Sequence, residues 1–516
     1  MPFSPVGTVP QAWPTVLGLA FTARPGLAMS GLLALLRRKR VRAWNRICTA
    51  AAEHPNHYAA WIKTVEPRIL PPAGAAASSH VGAVLFGGDS VATRESLATS
   101  FGLDIPIFDA STQLPASGRP AWLLPIRAGD VVSPALGAVL AAQLNGCNAR
   151  VVYWDEDQLV PEGRTAPWIK PDWDPLLFRA HDGLVGCSVL RADAVTGESV
   201  EDWSALALSV AEETAPLHLS LVLTHRKETR VASARPVVTA PPVSISVIVP
   251  TRDRADLLES CLDGLSDTRF PGSHEIIVVD NDSREPRTKA LFERLEATAR
   301  ARVLSRPGPF NFAALVNAGA DSASGELICL LNNDVETLSP DWLEQMAMLA
   351  VRDDVGAVGA RLLYPDRAIQ HAGVALGIGG AAGHVDKGAR PIPGAFAPWH
   401  DETRTVSAVT AACLLVARAK FVEVGGMDEQ SFAVDFNDVD LCLRLAARGW
   451  HTVYCASATL IHHESRSRGT VRRGTDFTRF ERELGALRAR WGADTAIDPY
   501  HSSLFRRQSE RCLLAF

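Results

Sequence analysis

Three apolar runs between residues 245 and 334 carry the clearest patterning in the chain. ISVIVPTRD (Ile245 to Asp253), EIIVVDNDS (Glu275 to Ser283) and GELICLLNND (Gly325 to Asp334) are β-branched or aliphatic, and each stops abruptly on polar residues. That is how a strand buried on both faces reads. Ala255 to Leu265 and Arg287 to Arg300 lie between them and read as helices. The order strand, helix, strand, helix, strand predicts a parallel sheet covered by helices. The runs end on Asp253, on Asp280 and Asp282, and on Asn332, Asn333 and Asp334. Ligands of open α/β sheets bind outside the carboxyl ends of the strands. Carboxylates gathered there suit a hydrated divalent cation and a diphosphate better than a bare anion, so the stretch reads as a nucleotide-diphosphate site.

Similar patterning occurs earlier. VGAVLFGG (Val81 to Gly88), IPIFDAS (Ile105 to Ser111), AWLLPI (Ala121 to Ile126) and ARVVYW (Ala149 to Trp154) read as strands. The expected organisation is a helical segment with linker over 1–78, a smaller α/β module over 79–235 and a larger α/β domain over 244–516. PPAGAAASS (Pro71 to Ser79) and TRVASARPVVTAPPVS (Thr229 to Ser244) have linker composition. The two α/β units echo each other. GDVVSPALGAVLAAQL (Gly129 to Leu144) and VETLSPDWLEQMAMLA (Val335 to Ala350) each follow an apolar strand and lead into another, Arg150 to Trp154 and Val355 to Leu363. Their Ser-Pro pairs, Ser133-Pro134 and Ser339-Pro340, are expected to cap and start a helix.

Composition narrows the class. With 516 residues, 47% hydrophobic and 21% charged, the chain reads as an ordinary multidomain globular protein. A net charge of −5 supplies no global basic field for nucleic acid. Nine scattered cysteines without a C-x-x-C pair point to a reducing, cytoplasmic setting. No apolar run reaches transmembrane length. Gly26 to Leu36, followed by RRKRVR (Arg37 to Arg42), reads either as a helix with a solvated basic end or as a peripheral contact with anionic lipid.

Three motifs carry candidate chemistry. In LICLLNNDVETLSPDWL (Leu327 to Leu343) a strand delivers Asn332, Asn333 and Asp334 to its end. Asp334 is the candidate metal carboxylate, with Asn332 adding an oxygen directly or through water. In FAVDFNDVDLCLRLAARGW (Phe432 to Trp450), Asp435, Asp438 and Asp440 crowd the first turn of a helix. Such acids stabilise the helix dipole, and one near an acceptor hydroxyl would take its proton as general base. HHES (His462 to Ser465) follows a strand-like run; a histidine there either ligates metal, contacts diphosphate or is structural, and His463 is the candidate ligand. GIGGAA (Gly377 to Ala382) matches G-x-G-x-x-A, but a loop follows it where a dinucleotide site needs a helix N-terminus.

IVPTRDR (Ile248 to Arg254), VVDNDS (Val278 to Ser283) and FNFAALVNAGADSASGELICLLNNDVE (Phe310 to Glu336) occur in order. They continue with VGAVGARLLYPDRAIQHAGVALGIGGAAGH (Val355 to His384), FNDVDLCLRL (Phe436 to Leu445) and HHESRSRG (His462 to Gly469). Together they resemble an inverting glycosyltransferase of family 2 with the GT-A fold, over nearly all of 245 to 510. The branch resembled is the rhamnosyltransferase-like one of O-antigen and other surface polysaccharides. The resemblance implies a nucleotide-diphospho-sugar donor, a glycan or lipid-linked glycan acceptor and a divalent metal, Mg²⁺ or Mn²⁺. It implies that Pro250, Thr251, Asp280 and Asn281 line the nucleobase and ribose. Asn332, Asn333 and Asp334 would stand at the D-x-D metal and donor motif, and Asp438 at the catalytic base. Two positions depart from the pattern: Asn332 replaces the first acid of D-x-D, and Asn437 stands where many relatives have Glu.

The first unit resembles the family more faintly, through YWDEDQLVPEGRTAPWIKPDWDPLL (Tyr153 to Leu177). Its third strand ends on IRAGD (Ile126 to Asp130), which puts Arg127 with Ala128 or Gly129 where acids are needed. An arginine offers a cation no lone pair. The literal D-x-D of Asp155-Glu156-Asp157 is expected at another strand end, corresponding to Leu363 to Asp366, away from the metal position. The unit is therefore read as a degenerate, non-catalytic GT-A-like module. The alternative for the whole chain is a non-catalytic glycan-binding scaffold.

Overall fold

The computed structural model describes residues 12–72, 80–110, 119–195, 202–228, 242–390, 398–463 and 475–516. Most of both linker stretches, and Glu464 to Gly469 of the last motif, lie outside the described residues. The chain divides into two compact units: residues 1–235 with 499–509 and 513–516, and residues 236–498 with 510–512.

The first unit opens with helices at Trp13–Ala23, Pro25–Leu36, Arg40–Ala52 and His57–Thr64. The C-terminal tail is tied to them: Trp61 Nε1–H donates to the Ala515 carbonyl at 3.0 Å, and the Arg506 guanidinium lies 5.2 Å from the Trp13 ring centre. Its strands are β1 (Val81–Phe86), β2 (Ile107–Asp109), β3 (Trp122–Arg127), β4 (Val131–Val132), β5 (Val151–Val160), β6 (Gly163–Trp168), β7 (Ser188–Arg191) and β8 (Leu217–Arg226). They form one sheet in the order β2-β1-β3-β7-β5-β8-β4, with β6 beside β5.

In the second unit the strands are β9 (Ile245–Thr251), β10 (His274–Asp280), β11 (Arg302–Ser305), β12 (Leu327–Leu331), β13 (Val335–Thr337), β14 (Val355–Leu363), β15 (Ile369–His371), β16 (Val374–Leu376), β17 (Ala382–His384), β18 (Arg404–Val406), β19 (Cys413–Ala417) and β20 (His451–His462). The main sheet runs β11-β10-β9-β12-β19-β14-β20-β13, with β15 beside β14 and β18 beside β20. Every residue of β9 and β12 is buried, which is why those runs are continuously apolar. The helix Phe312–Asp321 lies so close beneath them that a Cβ on Gly319 would meet Ile248 Cγ2 at 2.5 Å. Glycine is required there for the close approach of helix and sheet.

The two sheets share one topology. β1·β3 and β9·β12 are parallel, β3·β7 and β12·β19 antiparallel, β7·β5 and β19·β14 antiparallel, β5·β8 and β14·β20 parallel, and β8·β4 and β20·β13 antiparallel. Registers agree as well. Leu190 faces both Val151 and Leu123, and Val416 faces both Ala357 and Ile328. Counting from these partners puts Arg127, Ala128 and Gly129 at the positions of Asn332, Asn333 and Asp334. It puts Asp155-Glu156-Asp157 at Arg361 to Leu363.

Two expectations are corrected. The acidic run is not at a strand end; it lies inside the ten-residue β5, because buried cations make a polar strand interior tolerable. The Ser-Pro pairs do not cap helices, which begin later, at Leu136 and Trp342, without a side-chain cap. Short edge strands β4 and β13 come first, so each pair falls in the turn, where Ser133 Oγ accepts the Ala135 N–H at 3.3 Å.

Candidate active site

The carboxyl ends of β9 and β10 are stitched by their own polar residues. Asp253 and Arg254 turn the chain at φ 53° and 56°. The Asp253 carboxylate accepts the N–H groups of Glu285 (2.8 Å) and Arg284 (2.6 Å), and these bonds hold its pKa below the usual carboxylate value. Asp280 accepts the Ser283 N–H at 3.0 Å. Asn281 donates its backbone N–H to the Thr251 carbonyl at 2.9 Å and its side-chain amide to the carbonyls of Arg306 (3.0 Å) and Gly308 (3.3 Å). Thr251 Oγ1 accepts the Asn333 side-chain amide at 2.8 Å. Thr251, Asp280, Asn281 and Asn333 are thus brought together, with Pro250 opposite Val279 in the β9·β10 ladder.

The end of β12 meets the end of β20. Asp334 is 5% exposed, and its Oδ1 lies 3.1 Å from His462 Nε2; Asn332 Nδ2 lies 3.2 Å from the same nitrogen. His463 is not brought there. Neighbouring strand residues face opposite ways, and the His463 ring turns to Glu336, with Nε2 3.1 Å from its carboxylate. The His463 backbone N–H donates to the Asp334 carbonyl at 3.0 Å. The histidine beside Asn332 and Asp334 is therefore His462, and its other ring nitrogen lies 2.7 Å from Gln370 Oε1.

No three His, Cys, Asp or Glu side chains form a metal cluster among the described residues. The corner offers one carboxylate, one imidazole and one amide. Mg²⁺ and Mn²⁺ commonly use one or two carboxylates and take the remaining positions from phosphate and water. The donor set fits such an ion held jointly with a diphosphate, and does not fit a preformed all-protein cage.

The helix Asn437–Ala446 carries Asp438 and Asp440 in its first turn, while Asp435 precedes it, and the three acids have different partners. Asp440 is fully buried, with Arg444 Nε at 2.8 Å, Arg490 at 2.9 Å and Trp491 Nε1–H at 3.0 Å on its carboxylate. It anchors the helix. Asp435 has Arg479 Nε at 3.8 Å, and its backbone N–H donates to Glu483 at 2.6 Å. Asp438 accepts the backbone N–H groups of Ala411 at 3.0 Å and Val439 at 2.8 Å, and the Thr410 side chain also hydrogen-bonds to it. Burial pushes its pKa above the ordinary aspartate value, against the opposing pull of these hydrogen bonds. Ala412, the next residue after Ala411, accepts the Asn332 backbone N–H at 3.0 Å. Asn437 is buried and donates its side-chain amide to the Val434 carbonyl at 3.0 Å, pinning the loop before the helix.

Sequence reasoning missed His462, Gln370 and the contact between buried His371 and half-buried His384, whose Nδ1 atoms lie 2.9 Å apart. The HHES motif held the signal for the first. Gln370 and His371 sit in the quoted IQHAG run and carried no role there.

Residues 246–418 match the model of Glycosyl transferase family 2, in agreement with the resemblance read from the motifs; the matched stretch lies in the second unit, a GT-A-type α/β domain preceded by another α/β module. It is similar to the uncharacterized protein y4gI of Sinorhizobium fredii, 34% identical over 442 residues, covering 74% of this chain and 48% of that one. It is similar to the O-antigen biosynthesis protein RfbC of Myxococcus xanthus, 37% identical over 395 residues, covering 66% of this chain and 30% of that one. A stretch of 66 residues, 13% of this chain and 21% of the other, is 46% identical to the N-acetylglucosaminyl-diphospho-decaprenol L-rhamnosyltransferase of Mycobacterium tuberculosis. The chain thus spans half or less of the curated relatives it matches. Solved structures, among them GalNAc-T7 with UDP, GalNAc and Mn²⁺ and the mannosyltransferase PcManGT from Pyrobaculum calidifontis, align at 13 to 15% identity over 43 to 51% of this chain, with TM-scores of 0.33 to 0.35.

Proposed function

We propose that the second unit is an inverting, metal-dependent glycosyltransferase that moves a sugar from a nucleotide-diphospho-sugar to a glycan or lipid-linked glycan acceptor in surface-polysaccharide biosynthesis. The observation that carries this is the shared Ala411-Ala412 segment. It holds Asp438 by one residue and Asn332 by the next, so base and donor corner are fixed to a common backbone. In a single displacement Asp438 takes the proton of the acceptor hydroxyl while the sugar–phosphate bond breaks, and the anomeric carbon inverts. Pro250, Thr251, Asp280 and Asn281 line the nucleoside. Asn332, Asn333 and Asp334, with His462, face the diphosphate and its cation. A bound Mg²⁺ or Mn²⁺ would offset the charge of the departing diphosphate. Positioning of donor against acceptor supplies the rest of the rate. The O-antigen and lipid-diphosphate rhamnosyl activities in the names of two relatives support the acceptor class.

Unfolding temperature measured against a panel of nucleotide sugars with Mn²⁺ tests the reading, because a ligand of the folded state raises apparent stability. One nucleotide family is expected to raise it. A flat response across the panel counts against a donor site.

A lipid-linked acceptor calls for a protein that works at a membrane face. No helix among the described residues is long and apolar enough to cross a bilayer. The uncharged helix Pro25–Leu36 exposes Met29 (49%), Leu33 (49%) and Leu36 (81%) on one face. Exposed Arg37, Arg38, Lys39 and Arg40 follow. This pattern supports a cytoplasmic protein that rests on anionic lipid at the inner face of the plasma membrane. Co-sedimentation with vesicles containing phosphatidylglycerol, lost on Leu33→Glu with Leu36→Glu, is the expected result; equal partition onto neutral vesicles would remove the basic cluster from the account.

A further inference from the structure

We propose that Gln370 is a positioning residue that decides which ring nitrogen of His462 faces Asn332 and Asp334. Resting on the metal and diphosphate reading above, this adds a residue that touches neither.

Two hydrogen bonds run from one amide to one residue. Gln370 Nε2 donates to the His462 backbone carbonyl at 3.1 Å, and Gln370 Oε1 lies 2.7 Å from His462 Nδ1. The first bond fixes the amide orientation, since exchanging the amide atoms would set oxygen against oxygen. An amide oxygen only accepts, so Nδ1 must carry the hydrogen. Nε2 is then the nitrogen left for the corner, 3.2 Å from Asn332 Nδ2 and 3.1 Å from Asp334 Oδ1. A metal-bound histidine is oriented in the same way, with its second ring N–H donated to a carbonyl or carboxylate.

The backbone makes this aim specific. In the β14·β15 ladder Leu362 faces His371 and Leu363 faces Ile369, so the register shifts at Gln370, which stands between the two paired positions. A bulge of this kind re-aims a side chain. Here it sends Gln370, 4% exposed, toward β20, while His371 next to it points to His384.

The test uses the full chain, long-range ¹H–¹⁵N spectra of ¹⁵N-histidine protein without metal, and Mn²⁺ binding followed by electron paramagnetic resonance. The wild type should show His462 as the Nδ1–H tautomer, its signal assigned by loss in His462→Ala. Gln370→Leu should convert it to the other tautomer or a mixture, whereas Gln370→Glu, which still accepts at Nδ1, should restore it. Mn²⁺ affinity should fall about 10- to 100-fold in Gln370→Leu, and by no further factor when His462→Ala is already present. The proposal is overturned if Gln370→Leu keeps the Nδ1–H signal, or if it weakens Mn²⁺ binding equally in the His462→Ala background. Unchanged Mn²⁺ affinity in His462→Ala itself would instead overturn the reading of the metal corner. Gln370→Glu also guards against misfolding, since a merely structural glutamine would not be rescued by a charged substitute.

Discussion

Asp438 differs from its two acidic neighbours in what holds it. Two arginines neutralise Asp440 and an indole N–H donates to it, whereas backbone amides and the Thr410 side chain hold Asp438 in a half-buried position. Asp438→Asn should lower the rate by about 10²- to 10⁴-fold with donor affinity largely retained. A larger loss in Asp435→Asn or Asp440→Asn would show the wrong acid has been chosen. Asp440→Asn should cost about 2 kcal/mol of stability, less than a fully buried pair because Arg490 is partly in water, and urea unfolding would read this directly. The Asp438 shift has the opposite sign in stability. Its folded pKa is raised, so its contribution is present at low pH and lost as pH rises through the folded value. At neutral pH the ionised group is a net cost, and Asp438→Asn should not lower the unfolding temperature. The acid limb of kcat/KM should lie above an unperturbed aspartate; a limb at or below that value would contradict the burial argument.

At the scale of elements, β15 and β17 bring buried His371 and half-buried His384 into contact, and the Thr410 N–H donates to His371 Nε2 at 3.4 Å. Burial drives both pKa values down, His384 to about 3 and His371 well below the normal histidine value. A depressed histidine stays neutral in the fold while the unfolded chain takes up protons below about pH 6.5. Stability from this source is full above that pH and falls below it, for His384 down to about pH 3, by roughly 1.4 kcal/mol per pH unit for each histidine that is protonated in the unfolded chain alone. Urea midpoints at pH 7 and 5 should therefore diverge less in the His371→Gln/His384→Gln variant; an unchanged difference would refute the assignment. The elements themselves were largely legible. The runs at 245–253, 275–283 and 325–334 became β9, β10 and β12 because burial on both faces leaves an unbroken apolar signature. The choice between His462 and His463 was not legible, since it depends on strand parity at the end of β20. Gln370 was hidden for a related reason, as a bulge leaves no mark in the pattern. Asp155, Glu156 and Asp157 looked like an exposed strand end because their partners are distant in sequence: His218, Lys170 with Arg226, and His225 with Arg164.

On the scale of the whole molecule, one strand plan occurs twice with different strand ends. Where the second unit has Asn332, the first has Arg127, ion-paired to Asp182 at 2.5 Å and 5.0 Å from the Phe86 ring centre. Its acidic run is closed off by salt bridges. We propose that the first unit neither binds metal nor transfers sugar and serves in packing, acceptor guidance or partner docking. Titration of the full chain should give one nucleotide per chain, and a second site would contradict this. Asp155→Asn with Asp157→Asn should lower stability, because both acids are fully buried, while leaving the metal dependence of turnover unchanged. The most direct test of the central claim is release of nucleoside diphosphate from the donor selected by the thermal panel, followed over a Mn²⁺ titration for the wild type and Asp334→Ala. The wild type should turn over with Mn²⁺ and stop with chelator, and the folded Asp334→Ala protein should be inactive at every Mn²⁺ concentration. Wild-type turnover that ignores the chelator, or an Asp334→Ala protein that matches the wild type across the titration, would contradict the account.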